Sequence, residues 1–229
     1  MTAIDRQAER RRELLAEIAA EMELTADSTG RSALGERVAR ALAEVPRHEF
    51  VPGPEQPYAY YNNALPIGHG QTISQPFIVA LMTELLDPAP DHVVLEIGTG
   101  SGYQAAVLAK LVRHVYSIEV VPELAASARE TLRRLGYGNV TVKAGDGSAG
   151  WPEQAPFDGI IVTAAAAETP PALVEQLKPG GRLIIPIGSV PHYQTLTLLT
   201  KSPAGEVREE PVLAVAFVPL VSAPAEPAG

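Results

Sequence analysis

The chain has no cysteine, which excludes disulfides, thiol nucleophiles and cysteine-ligated zinc. It has no apolar run approaching the roughly 20 residues of a membrane-spanning helix. The N-terminus lacks an apolar signal core, and its arginines alternate with Glu9, Glu13, Glu17 and Glu21, unlike an acid-poor transit peptide. Basic residues are in deficit: 18 against 27 acidic, for a net charge of −9. That balance favours solubility and argues against general affinity for nucleic acid. No G-x-S-x-G nucleophile elbow occurs, which disfavours a Ser-His-Asp hydrolase. The five histidines, His48, His69, His92, His114 and His192, are scattered and lack metal-ligand spacing. There is no internal repeat. These absences leave a cytoplasmic globular protein with no membrane or nucleic-acid partner and no metal.

What is present centres on Val93-Val94-Leu95-Glu96-Ile97-Gly98-Thr99-Gly100-Ser101-Gly102-Tyr103. A short buried strand runs into alternating glycines, and a helical pattern follows through Ala105, Ala106, Leu108, Ala109, Leu111 and Val112. Strand, glycine turn and helix together form a nucleotide-site context. The spacing departs from the dinucleotide fingerprint G-x-G-x-x-G, because Tyr103 stands where the third glycine belongs. The following strand, 114–119, ends at Glu119, placed where a carboxylate can accept both hydroxyls of a ribose. A glycine loop and a ribose acid without a pyrophosphate fingerprint point to S-adenosylmethionine.

Taken in order, residues 4–23 read as a helix with Leu15, Ile18 and Met22 on one face. Arg10, Arg11 and Arg12 fit a solvated face paired with nearby glutamates. Asp27-Ser28-Thr29-Gly30 reads as a turn, and Ser32 as the cap of a second helix ended by Pro46. From Pro46 to Pro76, six prolines interleaved with Tyr58, Tyr60 and Tyr61 exclude regular helix or central strand, and mark a functional loop. Thr72 and Ser74 stand just before a helix at 77–86, where a capping role competes with a functional one.

Strands are expected at 93–98, 114–119, 140–144, 157–163, 182–187, 194–200 and 212–218, with helices at 102–112, 122–135 and 170–177. This alternation predicts an α/β fold: a doubly wound, mainly parallel seven-stranded sheet, Rossmann-like, with an N-terminal helical extension. The last two strands follow without a helix between them, so at least one pairs antiparallel. The divisions expected are 1–76 for the helices and proline-rich loop, 77–221 for the core, and 222–229 for a disordered tail. At the end of the third strand Gly145-Asp146-Gly147 offers an acceptor for the exocyclic amine of adenine, with Gly147 allowing close approach of the base.

Several segments together resemble one family. They are Val45-Pro46-Arg47-His48-Glu49-Phe50-Val51-Pro52, Leu65-Pro66-Ile67-Gly68, Gln71-Thr72-Ile73-Ser74-Gln75-Pro76, the glycine loop through Gln104, Gly145-Asp146-Gly147, Ala155-Pro156-Phe157-Asp158 and Phe217-Val218-Pro219-Leu220. The chain from about Val45 to Val221 is similar to the bacterial protein-L-isoaspartate O-methyltransferases. The Thr-Ile-Ser segment and the Phe-Val-Pro-Leu ending are the specific marks, whereas the glycine loop is shared by many methyltransferases. The resemblance implies a class I methyltransferase. Methyl would pass from S-adenosyl-L-methionine to the free α-carboxyl of L-isoaspartyl residues in damaged proteins and peptides, leaving S-adenosyl-L-homocysteine. It implies Ser74 as the active-site residue, with cofactor contacts from Gln71, Thr72, Ile73, Ser74, Gly98, Gly100, Ser101, Glu119, Asp146 and Gly147. It also implies that the order of the last two strands differs from other methyltransferases; that order is left open, and a monomer is expected. The competing readings are a methyltransferase for a small molecule or a dedicated peptide, a nicotinamide oxidoreductase, and a cofactor-binding module without catalysis.

Overall fold

A computed structural model describes residues 3–188 and 193–221. The predicted tail and His192 lie outside the described residues. The elements in chain order are helices α1 (Ala3–Leu24), α2 (Ala26–Thr29) and α3 (Glu36–Glu44), then two short 3₁₀ turns, Arg47–Phe50 and Gly53–Tyr58. A hairpin of β1 (Leu65–Gly68) and β2 (Gln71–Ile73) precedes α4 (Pro76–Leu86). The core follows as β3 (Val93–Ile97), α5 (Tyr103–Ala109), β4 (His114–Glu119), α6 (Pro122–Arg134), β5 (Val140–Ala144) and β6 (Phe157–Val162). It closes with α7 (Pro171–Gln176), β7 (Leu177–Ile187), β8 (Gln194–Lys201) and β9 (Val207–Val215). No described helix is long and apolar enough to cross a membrane.

The seven-stranded sheet has the order β5-β4-β3-β6-β7-β8-β9. Its first five strands are parallel, and β7–β8 and β8–β9 pair antiparallel. The order left open from sequence is therefore the sequential one, with β9 at the edge. Lys201 to Gly205 makes the β8–β9 turn, as expected, closed by bonds between Ser202 and Glu206. The chain leaves β3 in one direction through β4 and β5, then crosses to β6 on the other side. Open α/β sheets bind ligands at such a reversal, outside the carboxyl ends of the strands.

β3 is buried from Val94 to Ile97 because helices cover both faces of the sheet. One apolar cluster joins Leu14, Ile18 and Met22 of α1 to α3, α4, α5 and the sheet. The inward face of α1 is thus carried by Leu14, with Leu15 at its border.

Several local expectations need correction, among them β7, which begins at Leu177 rather than at 182. The cap of α3 is Gly35, not Ser32, and the Gly35 N–H donates to the Glu84 carboxylate at 2.9 Å. Residues 26–29 form a helical turn closed by Gly30 in the left-handed region, rather than a simple turn. The arginines of α1 bind carbonyls rather than glutamates: Arg10 reaches Pro57 O, and Arg11 reaches Ala43 O and the Tyr60 hydroxyl. Finally, β9 spans 207–215 instead of 212–218. Residues 217–220 leave the sheet edge because the Gln194 side chain takes both the N–H and the C=O of Phe217. Ala165 then bonds to Val218 and Leu220.

Candidate active site

The ends of β3 and β6 meet at the reversal. Gly98, Gly100 and Gly102 have φ of 92°, 52° and 87°, a region that side chains with a Cβ rarely occupy. Sequence reasoning assigned the glycines to ligand space, but two serve the protein's own packing as well. A Cβ on Gly98 would meet Thr163 Oγ1 at 2.4 Å, and one on Gly147 would meet Ile97 Cγ2 at 2.3 Å.

The cleft beside this turn measures about 530 Å³ with its open mouth. Its walls include Gln71, Thr72, Gly98, Gly100, Glu119, Gly147, Thr163 and the segment Val218 to Val221.

Glu119 is 5% exposed, and its two oxygens accept from Gly100 N at 2.8 Å and Val121 N at 3.0 Å. A carboxylate offers about four lone-pair sites, so two remain for a diol. Glycine backbone, a small-residue floor and a cleft-lining acid with acceptor capacity fit an adenosyl group.

A narrow passage adjoins the glycine turn, lined by Thr72, Ile73, Ser74, Ser101, Tyr103 and Gln104 among others. Beyond it opens a groove of about 1,140 Å³ between α4 and the 213–218 segment. Ser74 lines both the passage and the groove, while Thr72 and Thr163 line these and the cleft. The region read as irregular from its prolines holds the β1–β2 hairpin, so Gln71, Thr72 and Ile73 sit on an extended strand aimed at the cleft. His69, at the hairpin tip with φ 53°, is exposed and lines none of these spaces.

The competing role for Ser74 as a helix cap is not what the structure shows. The cap position of α4 is Gln75, without a side-chain capping bond, and the Phe77 N–H donates instead to Asn62 Oδ1 at 3.0 Å. Among the described residues the Ser74 hydroxyl has no hydrogen-bond partner, whereas its carbonyl accepts from Arg47 Nη2 at 2.9 Å. Arg47 also donates to Ala59 O and Asn63 O, and lies 4.9 Å over the Tyr103 ring. Burial draws the Arg47 pKa down to about 10, which leaves it charged at neutral pH.

Of the remaining predicted residues, Ser101 lies on the passage, where its Oγ accepts from Tyr103 N at 3.3 Å. Asp146 is not among the residues lining the cleft, and its Oδ1 accepts from Ser148 N at 2.8 Å. Sequence reasoning missed Thr163, whose hydroxyl donates to Gly98 O at 2.6 Å; a polar residue ending an apolar strand was its only signal. Arg47 and Asn62 were also missed, since only tertiary structure brings Arg47 to the Ser74 carbonyl and Asn62 to the N-terminus of α4.

Glu96 is fully buried beneath the glycine turn and accepts from Ser117 Oγ, which also bonds Thr99 Oγ1. Burial pushes its carboxyl up to about 8, with nearby Glu119 adding to the rise against the Ser117 bond. A carboxyl raised on folding contributes stability below its unfolded value, and that stability is lost as pH climbs toward the folded one. Glu96→Gln should therefore be more stable than the parent at pH 8, on the order of 3 kcal/mol, with the gain under about 1 kcal/mol at pH 5. Thermal melts at both pH values check this, and a pH-independent difference would contradict it.

The profile of the protein-L-isoaspartate(D-aspartate) O-methyltransferase family matches residues 23–225. The chain belongs to this family. The protein-L-isoaspartate O-methyltransferase 2 of Syntrophobacter fumaroxidans is 56% identical over 210 residues, covering 92% of this chain and 85% of that protein. A solved protein-L-isoaspartate O-methyltransferase is 31% identical with a TM-score of 0.79. The match covers 91% of this chain, which spans 65% of that structure's length. A Plasmodium falciparum structure described as a protein-L-isoaspartate O-methyltransferase in complex with S-adenosyl-L-homocysteine is 27% identical with a TM-score of 0.72, covering 82% of this chain and 91% of that one. The cofactor of the family fold is thus S-adenosyl-L-methionine.

Proposed function

We propose that this enzyme repairs damaged proteins by methylating the free α-carboxyl of L-isoaspartyl residues, with Ser74 orienting the acceptor. The observation that carries the assignment is the Ser74 hydroxyl, without a hydrogen-bond partner among the described residues and lining both the acceptor groove and the passage beside the glycine turn. S-Adenosyl-L-methionine, when bound, supplies a methyl group already activated on a sulfonium and leaves as S-adenosyl-L-homocysteine. Glu119 holds the ribose diol, Gly98 and Gly100 give the backbone room, and Gly147 borders the base, where Asp146, outside the cleft lining in this structure, would have to turn in to accept from the adenine amine. Gln71, Thr72, Ile73 and Ser101 shape the wall between cofactor and acceptor.

A carboxyl group titrates near 4, so the acceptor is ionised at neutral pH and no base in the chain has to take a proton. Catalysis then rests on placement and exclusion of water. Ser74 donates a hydrogen bond that aims one carboxylate oxygen toward the passage. Arg47, through the Ser74 carbonyl, holds that residue in position. The methyl ester product cyclises spontaneously to a succinimide, whose hydrolysis returns some normal aspartate. The damaged protein is met as an extended peptide in the groove, in the cytoplasm.

Incubation with labelled cofactor and matched isoaspartyl and aspartyl peptides tests this reading. Label should enter only the isoaspartyl peptide. In the same assay kcat/KM should stay flat from about pH 6 to 8, well above the carboxyl pKa. Equal labelling of both peptides would overturn the substrate assignment, and a steep acid limb near pH 6.5 would require a histidine base.

A further inference from the structure

We propose that Glu21 makes the acceptor groove select isoaspartyl sites by the charge of their neighbours, favouring a basic flanking residue and disfavouring an acidic one. The inference rests on the reading of this groove as the acceptor site. The groove is lined by Asn63, Ala64, Gln75, Phe77, Ile78 and the 213–218 segment, all apolar or neutral. Among the described residues that line it, Glu21 is the one with an ionisable acid or base.

Its carboxylate is fixed rather than neutralised. Oε2 accepts from Asn62 Nδ2 at 2.6 Å, and both oxygens lie 3.4 Å from Gln75 Nε2. These partners are amides, and no cation pairs with Glu21 among the described residues. Asn62 is itself anchored by Phe77 N, and Gln75 adjoins Ser74, so the charge stands at a set place beside the reacting position. A peptide whose isoaspartyl carboxylate reaches Ser74 runs its flanking side chains along this wall. The groove wall extends from Ser74 to Asn63, Ala64 and the 213–218 segment, so it faces residues on either side of the acceptor group. An acidic neighbour meets a like charge in a partly dehydrated groove, and a basic one meets its complement. The net charge of −9 has the same sign and reinforces the bias at long range.

The test uses isoaspartyl hexapeptides identical except for Lys, Gln or Glu at one of the two positions on either side of the isoaspartyl residue. At low ionic strength the Lys peptide should exceed the Glu peptide in kcat/KM by about 10-fold at one position or more, mainly through KM, as expected for a charge pair across a groove. E21Q keeps an oxygen for Asn62 and should narrow the Lys-to-Glu ratio below about 3-fold. Salt should compress the ratio in the native enzyme without any substitution.

A ratio near one at all four positions overturns the proposal, as does a preference that neither salt nor E21Q reduces. Loss of all peptides in equal proportion with E21Q would make Glu21 only an anchor for Asn62 and Gln75, and also overturns it. If no isoaspartyl peptide is methylated by the native enzyme, the assigned function itself fails and takes this inference with it.

Discussion

Ser74→Asp is expected to abolish isoaspartyl methylation by at least about 100-fold, equivalent to roughly 2.7 kcal/mol of barrier, while thermal stability stays near that of the parent. Stability should hold because the α4 N-terminus is served by Asn62 and not by Ser74. The Ser74 side chain has no hydrogen bond to lose among the described residues, and its carbonyl bond to Arg47 does not depend on side-chain identity. Activity should fall because the new carboxylate faces the acceptor carboxylate where water is excluded, and like charges there repel by several kcal/mol. Ser74→Ala removes one donor without adding repulsion, so its loss should be smaller. Cofactor affinity measured on both variants separates an acceptor effect from a cofactor effect. Turnover of isoaspartyl peptide by Ser74→Asp at the parental rate would remove Ser74 from the active site.

Glu119→Ala is the second large effect. If Glu119 holds the ribose as proposed, two charge-assisted hydrogen bonds go with it, and binding of S-adenosylmethionine should weaken by about 1.5–3 kcal/mol, roughly 10- to 150-fold in Kd. The structure adds a further consequence. Gly100 N and Val121 N lose their acceptor, and buried donors without partners are costly, so the variant should also melt earlier. Titration calorimetry gives the affinity, and a melt gives the stability. Unchanged affinity with a lowered Tm would make Glu119 a loop anchor rather than a cofactor ligand.

Much of the core was legible because its signals are local. β3, β4 and β5 begin at Val93, His114 and Val140, as their patterns predict, Gly98-Thr99-Gly100-Ser101-Gly102 announced its turn through glycine, and Glu119 was marked by ending a strand. The proline-rich segment misled in detail. Its prolines do exclude long helix, yet Gly68 and Gly70, with His69 between them, turn a short hairpin that pattern alone did not show. The end of β9 was misplaced because Gln194, more than 20 residues upstream, takes the backbone of Phe217.

The sequence by itself determined the sheet class, the glycine turn and the family, since apolar periodicity, glycine placement and short motifs act over a few neighbouring residues. Tertiary structure alone decided what Ser74 is free to do. Whether a hydroxyl caps a helix or faces a groove depends on which distant group reaches the helix N-terminus first. That group is Asn62, held by Glu21 of α1, with Arg47 clamping the Ser74 carbonyl from the other side. Those contacts join residues 15 to 41 positions apart, and no local pattern encodes hydrogen bonds that exist only once the core of α1, α4 and the sheet has closed.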